Sequence, residues 1–400
     1  MVKMKILLIH NTYCEPGGED VAFDAERRLL EDAGHQVVIY RRTNWEIQNY
    51  SGFERLALVS RIVWAKDARQ DITVLLRQEK PQLAHIHNTF VRVSPSVYSA
   101  CQQAGVPVVQ TLHNYRLLCP GANFFRNGHV CEECVEHSLW RGIRYGCYRD
   151  SRPATATVAL MLALHRRWRT WIGMVNGYIA LTEFARNKFI SGGLPAEKIS
   201  VKPNFVHSDP GERTGSGEYA LFVGRLAPEK GLHTLLASWK RLHNCLPLHV
   251  VGDGPMRTQL EAEALECGVA NIVFRGRLAR SAVWEAIKGA KFLILPSECY
   301  ENFPVTVAEA FACGIPVICS RHGAMQEIVT DSRTGLHFTP GSPEDLAQKV
   351  EWASTHPGRM AEMGKEARRE YESRYTSEKN YSLLMEIYRR VLTAGCAGSA

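Results

Sequence analysis

Two carboxylates, Glu301 and Glu309, close the segment ENFPVTVAE with seven residues between them. Upstream, GRLAPEKG carries Arg225 and Lys230 in a polar loop after the apolar run YALFV. Arg offers a fork of donors and Lys a mobile point charge, so the pair suits one dianionic group. Gly17 and Gly18 stand just after the first apolar run, where paired glycines allow close backbone approach. His113 ends the run VPVVQTL, placed to exchange a hydrogen bond with a sugar hydroxyl. His85 and His87, in AHIHN, share one side of a strand and read as core or supporting residues. Carboxylates, fixed cations and a loop-to-helix junction together are what binding a phosphorylated ligand requires.

The junction follows from local chemistry. Pro304 suits a first helical position, because its missing N–H would be unpaired there anyway. Asn302 and Phe303 then lie at the helix entrance, where backbone N–H groups lack intrahelical partners. The helix dipole adds about half a positive charge there, so an anion is well received. Gly314 and Pro316 end the helix and lead into the apolar run PVICS.

These loops need strands to carry them. KILLIH, HQVVIY, AHIHN, VPVVQTLHN, GYIALT and ISVKPNFV alternate with helical stretches, and YALFVGRL, LPLHVVGDG, NIVFRGRL, KFLILPS and IPVICS repeat the style. Strands rich in Val, Ile and Leu between helices predict parallel sheets covered on both faces. With 400 residues, the chain exceeds the roughly 250–300 at which one core stops growing. The expected fold is α/β, two doubly wound, Rossmann-like domains facing a cleft, with a C-terminal helix crossing back to the first. The expected spans are 1–206, carrying an insertion at 114–150, then 207–376, then a crossover helix and tail at 377–400. The least hydrophobic stretch between the sheets, HSDPGERTGSGE, marks the linker. In such sheets ligands bind beyond the carboxyl ends of the strands, and every polar loop above comes after a strand.

Composition is that of an ordinary globular protein, with 45% hydrophobic and 22% charged residues. A net charge of +7 is mild and gives no argument for nucleic acid. The short apolar run near the N-terminus reads as a strand rather than a signal peptide, and no window of about 20 residues is continuously apolar. The expected setting is cytoplasmic. Cys101, Cys245, Cys267, Cys313 and Cys319 lie in apolar or helical contexts and are expected to be reduced.

In order, GGED, GHQVVIY, HIHN, QTLHN, VKPN, FVGRLAPEKG, VVGDGP, FRGRL and SECYENFPVTVAEAFACGIPV resemble glycosyltransferase family 4. The resemblance covers nearly the whole chain and implies a retaining hexosyltransferase of the GT-B fold that uses a nucleotide-sugar, a UDP- or GDP-sugar. It implies that Arg225 and Lys230 bind the donor diphosphate and that Glu309 binds the ribose hydroxyls. Glu301 would lie near the sugar hydroxyls, with Asn302 and Phe303 offering backbone N–H groups. His113 would touch the donor sugar, Gly17 and Gly18 would approach the phosphates or the acceptor, and Arg277 would lie against the base. No Asp-x-Asp pair exists in the sequence, so no catalytic metal is expected, and Arg225 and Lys230 would take its place. Front-face attack, with the departing phosphate taking the acceptor proton, is the mechanism implied. Glu301 is therefore not read as a nucleophile, in contrast to the flanking carboxylates of glycosidases.

Cys119, Cys131, Cys134 and Cys147 have 11, 2 and 12 residues between them. Four thiolates around a tight CEEC pair suit a closed structural zinc site, with His129 and His137 as reserve ligands. A redox pair, free thiols or disulfides are the other readings. Residues 138–171 hold Arg141, Arg144, Arg149, Arg152, Arg166, Arg167 and Arg169 against one acid, Asp150. There TATVALMLALHRRWRTW joins an apolar stretch to a basic, Trp-containing end, which suits an anionic membrane surface. A helix packed on its own domain is the other reading. The membrane reading gives a peripheral enzyme on the inner face of the membrane, with a saccharide or lipid-linked saccharide acceptor, in cell-surface polysaccharide or glycolipid synthesis. Rival readings are a zinc-bearing, non-catalytic binding protein and a phosphorylase or epimerase of similar fold. An NAD-dependent oxidoreductase would need G-x-G-x-x-G after the first strand, where the chain has NTYCEPGGED.

Overall fold

The structure, a computed structural model, describes residues 3–15, 17–47, 51–242, 246–266 and 271–397. Cys245 and Cys267 lie outside the described residues. The chain forms two compact units. The first comprises Met1–Phe124, Glu132–Pro203 and Asn380–Ala400; the second comprises Phe125–Cys131 and Asn204–Lys379. The division thus falls at Pro203/Asn204, just ahead of the polar linker stretch.

The first unit is built on β1 (Lys5–Thr12), β2 (Gln36–Thr43), β3 (Leu83–Ile86) and β4 (Val108–Thr111). A short antiparallel hairpin, β5 (Phe125–Arg126) with β6 (His129–Val130), comes next and groups with the second unit. The first sheet is completed by β7 (Gly177–Ala180) and β8 (Ile199–Val201). Its order is β2-β1-β3-β4-β7-β8, and every pairing is parallel. Six consecutive residues of β1 are buried, as a strand covered on both faces requires.

The second unit carries β9 (Tyr219–Val223), β10 (Leu248–Val251), β11 (Ile272–Gly276), β12 (Ala290–Leu295), β13 (Val317–Ser320) and β14 (Gly335–Phe338). Their order is β11-β10-β9-β12-β13-β14, again all parallel. Counted within the unit this is 3-2-1-4-5-6, the order of dinucleotide-binding sheets. The first unit instead runs 2-1-3-4-5-6, the flavodoxin-like order with one strand added, so the two halves are relatives rather than copies. In both, the order reverses beside the first strand. That reversal opens a crevice beyond the carboxyl ends of β9 and β12 in one unit, and of β1 and β3 in the other.

Each unit has its own core. In the second, Phe222, Trp239, Val250, Phe292 and Ile318 meet Leu346 and Met363. In the first, Ile6, Leu8, Phe23 and Val109 meet Leu384, Tyr388 and Val391. The last three lie on the C-terminal helix Ser377–Ala397, which returns to the first core as expected. Among the described residues, no helix is long and apolar enough to cross a membrane.

Candidate active site

The second unit places the predicted cation and carboxylate on the two strands that flank its reversal. β9 ends at Val223 and leads through Arg225 to Lys230, and β12 ends at Leu295 and leads through Ser297 to Glu301. Gly231 joins these loops. Its φ of +66° is left-handed, and a Cβ there would fall 1.9 Å from the carbonyl oxygen of Pro296. Only glycine lets the GRLAPEKG loop lie this close to the end of β12. Gly252, at φ +138°, does the same for the GDGP loop against the carbonyl of Gly224.

With the loops so joined, Lys230 Nζ donates to Glu301 Oε1 at 2.5 Å, and Ser297 Oγ donates to the same oxygen at 2.5 Å. Burial pushes the Glu301 carboxyl up, but Lys230 and Ser297 outweigh it, and the net shift is downward. Burial pushes Lys230 down, yet Glu301 outweighs that and raises it. Both groups are therefore ionised at neutral pH. Arg225 is exposed and pairs with the buried Glu229. Each expected phosphate cation thus has a carboxylate partner of its own, a feature the sequence did not disclose.

Glu301 leads directly into the helix Val305–Ala312, whose N-cap is Pro304 at φ −65° and ψ 119°. The expectation put Pro304 at the first helical position; the fixed proline φ serves either place, and ψ decides. The helix entrance is braced from two sides. Asn204 Nδ2 donates to the Phe303 carbonyl at 3.0 Å, and the Phe303 ring meets Tyr375 edge-on at 5.3 Å. Gly314 lies just past the helix at φ +69°. At its far end Glu309 is 5% exposed, and its Oε1 accepts from Trp284 Nε1 at 3.1 Å and lies 3.4 Å from Arg280 Nε. Burial raises the Glu309 carboxyl, and Arg280 and Trp284 only partly offset it. Arg280 and Trp284 were not foreseen, because nothing in FRGRLARSAVW distinguishes them from ordinary helix residues. Arg277 is exposed in the loop after β11.

The first unit gathers a second set of groups at its own reversal. Gly17 caps the helix Gly18–Asp32 with its N–H bound to Asp20 Oδ2 at 2.8 Å, and both glycines are exposed. His10, on β1, holds Asp20 Oδ1 at 2.8 Å. Glu19 accepts from Asn88 Nδ2 at 2.8 Å and Asn114 Nδ2 at 3.0 Å. Burial and the neighbouring Asp20 push its carboxyl up to about 8. His113, half-buried just past β4, is hydrogen-bonded through Nε2 to Nδ1 of His87 at 2.9 Å. Burial, then the neighbouring imidazoles, hold both rings neutral: His87 falls to about 3 and His113 well below its usual range.

Among the described residues, one group of three or more His, Cys, Asp or Glu side chains has ligand atoms within 4.8 Å of each other: Glu26, His85 and His87. Lys202 Nζ already sits 2.8 Å from Glu26, supplying the positive charge a metal would bring. Cys119, Cys131, Cys134 and Cys147 carry thiols rather than disulfides. Cys131 groups with the second unit, and Cys119, Cys134 and Cys147 do not form a close ligand group within the first. Cys101, Cys313 and Cys319 are buried thiols, as expected.

Two doubly wound parallel units, with a cation and a carboxylate at a switch point, define a GT-B type of glycosyltransferase architecture. Residues 17–209 match the family model described as Glycosyltransferase Family 4, and residues 207–370 match Glycosyl transferases group 1. The chain belongs to glycosyltransferase family 4. It is 30% identical over 264 residues to D-rhamnosyltransferase WbpZ of Pseudomonas aeruginosa, covering 66% of this chain and 56% of that protein. Matches to two uncharacterised glycosyltransferases of Methanocaldococcus jannaschii cover 49% and 44% of their lengths, so the chain spans about half of the curated relatives it matches. Among solved structures, a sucrose-phosphate synthase from Thermosynechococcus elongatus superposes with a TM-score of 0.75 at 17% identity, over 98% of this chain and 100% of that chain. Anabaena HepE in complex with UDP-glucose superposes with a TM-score of 0.69 at 19% identity, over 98% and 100%. At these identities the likeness is one of fold.

Proposed function

We propose that the chain is a retaining hexosyltransferase that moves a sugar from a UDP- or GDP-sugar to a saccharide or lipid-linked saccharide acceptor. The observation that carries this reading is the ionised Lys230–Glu301 pair at the carboxyl ends of β9 and β12. Departure of the nucleotide puts negative charge on the outer phosphate. Lys230, Arg225 and the N–H groups at the entrance of the Val305–Ala312 helix are the fixed charges and dipoles aimed at it. Glu301 orients Lys230 and offers its second oxygen to a sugar hydroxyl. Both contacts to Glu309 fall on Oε1, so Oε2 is assigned to the ribose hydroxyls, and Arg277 to the base. In the first unit His113 meets a hydroxyl of the transferred sugar, and Gly17 and Gly18 offer backbone to a phosphate or to the acceptor.

An anionic membrane surface as partner rests on the helix Arg152–Arg167 and on the residues just after it. Leu160 is 47% exposed, Trp168 47% and Ile172 37%, interleaved with exposed Arg166, Arg167 and Arg169. Apolar anchors among cations suit the headgroup boundary of an anionic bilayer. The resulting placement is peripheral, on the cytoplasmic face, in the synthesis of a surface polysaccharide or glycolipid. Structural zinc on Cys119, Cys131, Cys134 and Cys147 rests on their spacing alone. Metal analysis of the purified protein with Cys131→Ser as control decides it, and absence of zinc from the wild type removes the assignment.

The activity is tested with a panel of UDP-, GDP- and ADP-sugars, measuring release of nucleoside diphosphate with and without saccharide acceptors. One nucleotide class should be turned over; turnover of none would sink the transferase reading.

A further inference from the structure

A chain of buried groups in the first unit runs from a lysine to His113. Lys202 Nζ donates to Glu26 Oε2 at 2.8 Å and to Asn380 Oδ1 at 3.0 Å. Glu26 Oε1 lies 2.8 Å from His85 Nδ1 and 3.2 Å from His87 Nε2. The latter is an ion-pair distance rather than an aligned hydrogen bond. His85 Nδ1 is shared between Glu26 Oε1 and Tyr388 OH at 2.7 Å, and its Nε2 meets Thr111 Oγ1 at 2.8 Å. His87 Nδ1 then meets His113 Nε2 at 2.9 Å. Glu26, His85, His87 and Lys202 are each 3% exposed or less.

The polarity of this chain follows from proton counting. A neutral imidazole has one N–H, and an ionised carboxylate only accepts. Lys202 beside it, against the opposing cost of burial, holds the Glu26 carboxyl well below its usual range. A bare His87 Nε2 facing Glu26 Oε1 at 3.2 Å would set lone pair against negative charge, so the proton of His87 sits on Nε2. Its Nδ1 is then bare and can only accept, and the donor to it is the N–H of His113 Nε2. Each tautomer is set by the partner of the other nitrogen, as for histidines generally.

We infer that Glu26, Lys202 and His87 are positioning residues that fix His113 as the Nε2–H tautomer, presenting Nδ1 as a hydrogen-bond acceptor. A ligand opposite His113 must therefore donate: it brings a hydroxyl, and His113 supplies no proton to it. That this hydroxyl belongs to the transferred sugar rests on the transferase reading above; the tautomer does not.

The test is two-bond ¹⁵N–¹H correlation of the wild-type protein labelled with ¹⁵N-histidine, with His113→Gln to assign the resonance. His113 should be protonated on Nε2, and protonation on Nδ1 would overturn the inference outright. The second arm is Glu26→Gln with Lys202→Met, which removes both charges together. Its amide can donate to His87 Nε2 and reverse the chain, so the His113 proton should move to Nδ1. A folded double variant, by circular dichroism, that keeps the Nε2–H form overturns the role of Glu26. If the double variant does not fold, the wild-type spectrum still decides the tautomer. An inactive wild type with the expected tautomer would sink the transferase reading alone; an active one with the reverse tautomer would sink this inference alone.

Discussion

Lys230 Nζ and Glu301 Oε1 lie 2.5 Å apart across the point where the strand order of the second unit reverses. The two residues are far apart in sequence, and each comes after a strand that neighbours the other in the sheet. The pair sets a fixed positive charge at the place where doubly wound sheets bind ligands. It also keeps that charge neutralised within the fold, and the proposed phosphate would meet an oriented ammonium rather than a mobile one.

The approach of the two loops depends on Gly231. Ala at φ +66° is strained by about 1–2 kcal/mol in itself. Its methyl would also meet the Pro296 carbonyl, which must move. Gly231→Ala should destabilise the protein by at least about 2 kcal/mol, seen as a lower melting temperature, and reduce nucleotide binding with it. An unchanged melting temperature would remove the glycine from this role.

Glu309 is buried against Trp284 and Arg280, and its proposed partner is a ribose. A hydrogen bond to a charged group is worth about 1.5–3 kcal/mol. Glu309→Ala should therefore weaken nucleotide affinity by about 10- to 100-fold in calorimetric titration. Deletion of the sugar from the ligand should not alter that factor, because the contact is to the nucleoside end. A loss seen only with the intact nucleotide-sugar would reassign Glu309 to the sugar.

The histidines of the first unit predict acid sensitivity. His87 is held at about 3 in the fold, against about 6.5 when unfolded. The unfolded chain therefore binds the extra proton between those values, and the His87 contribution to stability falls as pH drops below about 6.5. It is fully present above that. Glu19, raised to about 8, works in the opposite sense over the same range, so the loss is read as a difference. From pH 7.5 to pH 5 in denaturant titration, the wild type should lose more stability, or gain less, than His87→Gln. An equal slope in the variant would place the acid sensitivity elsewhere.

Flotation with anionic vesicles tests the surface partner. The wild type should bind at low salt and be released as salt rises, since exposed charges are screened over about 10 Å at 0.1 M. Trp168→Ser with Leu160→Ser should reduce binding at every salt concentration. No binding of the wild type at low salt would remove the membrane from the proposal.

The sequence disclosed unevenly. The strands, the ligand loops and the start of the Val305–Ala312 helix were legible, because apolar runs, glycine and proline act locally. The strand order was not, since 2-1-3-4-5-6 and 3-2-1-4-5-6 arise from the same alternation of strand and helix. Lys230 could be marked as a phosphate cation, yet its partnership with Glu301 depends on which strands become neighbours. Arg280 and Trp284 were hidden for the same reason, as their purpose appears only when Glu309 is folded against them. His85 and His87 read from the sequence as core or supporting residues, and both are buried. The carboxylate that orients them comes from Glu26, on a helix far away in the chain, with no motif around it. The four cysteines are legible as a spacing, and zinc on them remains a proposal for metal analysis.

The most direct measurement is turnover of the matching nucleotide-sugar by the wild type and by Lys230→Ala, side by side. The wild type should release nucleoside diphosphate with one nucleotide class. Lys230→Ala should remain folded and lose turnover by about 10²- to 10³-fold, the cost of removing one fixed charge from a developing oxyanion. Equal turnover in the two proteins would contradict the assignment of the phosphate site to Lys230 and Glu301.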